Sequence, residues 1–78
     1  MSVQVIDTKQ TGSRIKEMCK ERNVAPNELK ERMQFTSVTP IYKWWEGKSV
    51  PSLDNLVILA KVLETSIESL LVTYEVEV

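Results

Sequence analysis

The sequence predicts a small, mostly α domain of five short helices with strand-like segments at both chain ends. Three observations predict it. First, 78 residues with 42% hydrophobic content make one domain with a single modest core. Second, between residues 11 and 71 apolar residues recur at helical spacing, punctuated by helix starters and stoppers such as Pro26, Gly47, Ser52 and Ser66. Third, the ends MSVQVID and VTYEVEV alternate apolar and polar residues. The expected division is an N-terminal arm or strand over 1–10, a helical domain over 11–71 and a strand-like tail over 72–78.

Taken in order, Thr11 is the expected N-cap of the first helix, whose apolar positions are Ile15, Met18 and Cys19 and which Asn23 can stop. The second helix opens with Pro26, favoured at a first helical position because its missing N–H has no partner there. Leu29 and Met33 form its apolar stripe. QFTSVT reads as a turn, with Phe35 facing inward and Ser37 or Thr39 available to cap the third helix. That helix, about 38–46, ends at Gly47. At about 100° per residue, Ile41, Trp44 and Trp45 share one face, and Thr39, Tyr42, Lys43 and Glu46 share the other. The two tryptophans therefore read as core, the alternative being a stacking platform for single-stranded nucleic acid.

Ser52 is the expected cap of the fourth helix, with Leu53, Leu56, Val57, Ala60 and Leu63 on one side. Ile58 and Val62 lie nearly opposite and need their own cover. A fifth helix, SIESLL, has Ser66 as N-cap and Glu68 placed to favour its dipole. In the tail, Val72, Tyr74, Val76 and Val78 share a face, and Val3 and Val5 begin a similar alternation in the arm. Neither strand is stable alone. An antiparallel pair, Val3–Ile6 against Thr73–Val76, is expected, with Val72 and Tyr74 leaning on Ile58 and Val62; pairing within one chain and between two both remain open.

Composition excludes several functions. Histidine is absent and there is one cysteine, so a single chain assembles neither a His/Cys metal site nor an internal disulfide. The lone thiol fits a reducing cytoplasm. The start of the chain lacks the features of a signal peptide, and no apolar stretch approaches the ~18 residues that span a bilayer. A soluble cytoplasmic domain without a membrane partner is expected. Carboxylates at surface-helix spacing, without histidine, form no acid–base constellation. No enzyme activity, cofactor, metal or small-molecule substrate is therefore expected. The net charge is −1, but residues 1–50 carry nine Lys/Arg against six acids, and residues 51–78 carry Lys61 against five acids. A face for an anionic partner would lie in the first two thirds.

TGSRIKEM, NELKERM, IYKWWEGK and VPSLDNLVILAKVLETSIESLL stand at helices 1, 2, 3 and 4–5. In combination, and above all in IYKW, GK, PS, DNL and LA at their spacing, they resemble the lambda-repressor-like helix-turn-helix domain. That is the domain of Cro/cI-type (XRE) bacterial and phage transcriptional regulators, repressors among them. The resemblance covers residues from about Thr11 to Leu71. It implies that helix 3 is a recognition helix for the DNA major groove while helix 2 crosses the backbone. Carried over by position, Ser37, Thr39, Tyr42 and Lys43 would face base edges or the nearest phosphates. Lys48 would sit beside a phosphate just past the helix, and Asn27 would contact the backbone.

The resemblance thus implies a sequence-specific regulator that binds double-stranded DNA as a homodimer, since one recognition helix reads only a few base pairs. Many members carry a buried ion pair, with arginine at the position of Cys19 and glutamate at that of Trp45. Both positions are apolar here, so the Cys19 sulfur is expected to pack against the Trp45 ring. Glu46 stands where many members place a neutral or basic group; a carboxylate there repels phosphate, although it can accept a hydrogen bond from cytosine N4. With the net acidity and the strand-like ends, Glu46 supports an alternative: a protein-interaction module that keeps the fold without specific DNA binding.

Overall fold

The computed structural model describes all 78 residues, Met1–Val78. Its elements run β1 (Ser2–Ile6), α1 (Thr8–Glu21), α2 (Pro26–Arg32), α3 (Thr39–Trp45), α4 (Leu53–Val62), α5 (Ile67–Leu70) and β2 (Thr73–Glu77). The five helices and the paired terminal strands are the fold class the sequence predicts.

The start of α1 corrects the expected cap. Asp7, not Thr11, is the N-cap, and its carboxylate accepts a hydrogen bond from the Gln10 N–H at 2.9 Å. A charged acceptor is the stronger partner for an orphan N–H, so the helix begins just over a turn earlier. Thr11 is inside the helix and buried. Its hydroxyl accepts from the Val72 N–H at 3.0 Å and donates to the Val72 carbonyl at 3.3 Å. The Asp7 N–H donates to that same carbonyl at 2.8 Å. Thr11 thus ties the last segment of the chain to α1.

Helices α1 to α4 end the same way. A residue in the left-handed region follows each C-cap: Asn23 (φ 56°), Gln34 (φ 59°), Gly47 (φ 76°) and Glu64 (φ 53°). The next N–H reaches back over the helix end, Val24 to Cys19, Phe35 to Lys30, Lys48 to Lys43 and Thr65 to Ala60, all at 2.8–2.9 Å. These are Schellman closures, which satisfy carbonyls the helix leaves open and turn the chain back toward the core.

The core gathers Ile15 and Cys19 of α1, Leu29 and Met33 of α2 and its cap, Ile41 and Trp44 of α3, Leu56, Leu59, Ala60 and Leu63 of α4 and its cap, and Leu70 of α5, with Val24. Where α1 crosses α3 there is no room for a side chain: a Cβ on Gly12 would lie 1.9 Å from the Trp44 carbonyl oxygen. Glycine is required there for close backbone approach.

On α4 the buried face is rotated from the expected one. It comprises Leu56, Leu59, Ala60 and Leu63, while Leu53 is 71% exposed and Val57 42%. The rotation brings Leu59 inward and sets Ile58 and Val62 on the shoulder of the core, half-buried against it. The core itself thus supplies cover for both. Val72 is bonded to α1, and Tyr74 stands opposite Val5 in the ribbon and is half exposed.

The ribbon itself matches the expected register, Val3 opposite Val76 and Ile6 opposite Thr73, antiparallel and within one chain. Its two strands pack mainly on each other. The molecule is longer than broad, 43 × 22 × 21 Å.

Candidate nucleic-acid interface

The sequence of α3 decides what it buries. Ile41 is fully buried and Trp44 nearly so. The Trp44 ring meets the half-buried Phe35 edge-on, with centroids 5.7 Å apart and planes at 65°, which uses the quadrupole of each ring favourably. Phe35 faces inward, as expected, and fixes the α2–α3 turn against the helix it introduces. The core reading of the tryptophans holds fully for Trp44.

Trp45 sits at the edge of the core. Tyr42 packs edge-on against it at 5.6 Å and 79°, and the Lys16 ammonium lies 5.9 Å over its ring. Its indole N–H is buried without a conventional acceptor. The buried Cys19 and Trp45 line the same small cavity, so the expected pair are neighbours. Burial pushes the Cys19 thiol up to about 11, the Arg22 charge and the Trp45 N–H opposing that rise in smaller measure. The pair is therefore apolar and uncharged, as the two residue types lead one to expect.

The outer side of α3 presents Thr39, Tyr42 and Lys43, all exposed. The turn before it differs from expectation, because neither Ser37 nor Thr39 is the N-cap. That place is taken by Val38, already in helical conformation, without a side-chain cap. The Ser37 hydroxyl accepts only a long bond from the Thr39 N–H, at 3.4 Å. Pro40 in the first turn lowers the need for a cap by removing one donor. Ser37 and Thr39 are thus exposed at the start of α3 rather than committed to closing it.

At the other end, Gly47 turns the chain so that the Lys48 N–H donates to the Lys43 carbonyl at 2.9 Å. This brings Lys48 back to the end of α3 that carries Lys43. The Lys48 ammonium lies 3.4 Å from the Glu46 carboxylate, both side chains well exposed. Asn27 stands apart, exposed in the first turn of α2. Of the six expected site residues, Ser37, Thr39, Tyr42, Lys43 and Lys48 lie along α3 and its two turns, and Asn27 belongs to the neighbouring helix.

Two neighbours escaped the sequence reading. A Cβ on Gly47 would meet the Lys9 Cα at 2.7 Å, so the first turn of α1 presses on the end of α3 and adds the exposed Lys9 to its lysines. Lys16 lies over Trp45 beside Tyr42. No local pattern signals either one, since both depend on how α1 crosses α3.

The helix-turn-helix family model HTH_3 matches residues 15–70. Among solved structures, the chain is similar to the restriction-modification controller protein C.AhdI from Aeromonas hydrophila. The identity is 20% and the TM-score 0.74, over 82% of this chain and 96% of that one. It is also similar to the DNA-binding domain of BldD, at 17% identity and a TM-score of 0.70, over 83% of this chain and 93% of that one. Both likenesses are of fold. No curated protein matches the sequence. No helix is long and apolar enough to cross a membrane.

Proposed function

The chain belongs to the helix-turn-helix family HTH_3, and from that premise we propose that it is a cytoplasmic transcription regulator that binds double-stranded DNA sequence-specifically as a homodimer. The observation that carries the reading is the division of α3: Ile41 and Trp44 anchor it in the core, while Thr39, Tyr42 and Lys43 stand exposed together. A helix so anchored offers a rigid polar face of the kind that enters a major groove.

In this reading Lys43 donates to guanine O6 and N7, and Ser37, Thr39 and Tyr42 touch base edges or flanking phosphates. Lys48 and Asn27 meet the phosphate backbone and fix the register of the helix without reading sequence. Both similar structures are named for control or for DNA binding, which supports the same reading. The second reading, a protein-interaction module, is favoured by one observation. Glu46 holds Lys48 at 3.4 Å, placing a carboxylate where phosphate would approach.

Selection from a random duplex pool, followed by titration of the selected duplexes at several salt concentrations, separates the two. Lys43→Ala weakens binding to selected duplexes by ~1–3 kcal/mol and relaxes preference at one base pair of each half-site. Lys48→Ala weakens binding to every duplex alike and makes the salt dependence shallower by about one ion per half-site. Both side chains are exposed, so neither change moves the melting temperature appreciably. Affinity that stays at the nonspecific level for every duplex, even at low salt, sinks the regulator reading.

A further inference from the structure

The register of the terminal ribbon sorts its side chains. Directly opposed residues of an antiparallel pair share a face, so Val3, Val76, Val5 and Tyr74 project from one side. Ser2, Gln4, Thr73, Glu75 and Glu77 project from the other, with Ile6 the one apolar residue among them. The apolar side is open: Val3 is 42%, Val5 37% and Tyr74 50% exposed. A two-stranded ribbon is marginal in water without a third element against it, and none of the five helices packs substantially on this one.

We propose that this face is the docking surface for a second copy of the chain, ribbon against ribbon about a two-fold axis. Charge permits a like partner. Both glutamates of β2 lie on the far face, and the N-terminal ammonium at the ribbon's tip is 3.9 Å from Glu77. Two copies brought together by their apolar faces therefore bury no carboxylate and oppose no like charges. An isologous contact also needs only one patch that fits itself, and a Val/Tyr face without charged side chains meets that condition.

Size sets the strength. At their exposures the four side chains offer roughly 300 Å² per copy, well below the ~800 Å² per partner of a standard stable interface. The contact is accordingly weak, with a dissociation constant on the order of micromolar or above. Two half-sites on one duplex complete it by raising the effective concentration of one copy near the other. That last step rests on the regulator reading; the ribbon contact does not.

Sedimentation equilibrium of the full chain, from micromolar to millimolar, gives a reversible dimer. In the unaltered protein, concentration-dependent NMR shifts concentrate on the methyls of Val3, Val5 and Val76 and the ring of Tyr74. The double substitution Val5→Thr/Tyr74→Thr leaves a β-branched residue, well suited to a strand, at both positions. It raises the dissociation constant at least tenfold while circular dichroism and Tm stay near the parent's. A chain monomeric to millimolar concentration overturns the proposal. So does a dimer indifferent to the substitutions whose shifts fall on Leu53 and Val57 instead. If no duplex is bound specifically yet the dimer and its sensitivity persist, the regulator reading falls and the ribbon contact stands.

Discussion

Replacing Gly12 by alanine tests how closely α1 and α3 must approach. The added methyl would lie 1.9 Å from the Trp44 carbonyl oxygen, 3.1 Å from its carbon and 3.2 Å from the Gly47 nitrogen. An unstrained carbon–oxygen contact is about 3.3–3.6 Å, so the two backbones have to separate by more than an ångström. In an exposed helix interior the same change would stabilise by about 1 kcal/mol. Here it meets overpacking of ~1–3 kcal/mol or more. It also threatens the Gly47 N–H to Trp44 carbonyl bond, 3.0 Å long, whose loss adds about 1 kcal/mol. Repulsion from backbone that cannot rotate away wins, for a net loss of about 2 kcal/mol. In a domain this small that lowers Tm by roughly 8–16 °C. Thermal and urea melts by circular dichroism read it, with Ser13→Ala, one residue along on the exposed side of α1, as the control that should change little. A Gly12→Ala chain melting at or above the parent would refute the close-approach argument.

Glu64→Gly should raise Tm by a few degrees, because a non-glycine residue at φ 53° costs ~1 kcal/mol, partly offset by glycine's larger unfolded-state entropy; a lower Tm counts against this. Trp45→Glu should destabilise by ~3 kcal/mol or more, since it removes packing on Cys19 and sets a carboxylate beside a buried thiol. A variant melting within a degree or two of the parent would show that Trp45 contributes little to the core. The thiol predicts a pH effect. Its pKa is raised from 9.0 to about 11 in the fold, so the neutral form favours folding; that contribution is complete below about pH 9 and is lost as pH climbs through about 11. Urea melts of Cys19→Val should show a flatter decline over this window than the parent, and identical pH profiles would refute the assignment.

What the sequence made legible was local, and what it concealed was contact between elements. Helix caps Ser52 and Ser66 and Pro26 at the head of α2 could be read because each depends on a few neighbouring residues; the strand register, which pairs residues as distant as Ser2 and Glu77, is the exception, legible from the alternation at both chain ends. The start of α1 could not: its first turn, Thr8 to Gln10, carries no apolar period. The residue that looked like a cap, Thr11, is needed by Val72, 61 positions away. Left-handed closures at Gln34 and Glu64 were likewise hidden, since neither residue type advertises that conformation, whereas Asn23 and Gly47 do.

The same distinction separates the two halves of the candidate interface. Thr39, Tyr42 and Lys43 follow from the helical period of α3 itself, but the arrival of Lys9 at its far end follows from glycines. The chain contains two, Gly12 and Gly47, and both lie at the crossing of α1 and α3, one admitting the Trp44 carbonyl and the other the Lys9 backbone. A missing side chain leaves no trace in a hydrophobic pattern. The orientation of α3, and with it the direction in which its polar face points, is therefore set by two residues that periodicity cannot weigh. A methyl at Gly12 should disturb the presentation of Tyr42 and Lys43 even where enough stability remains for the chain to fold.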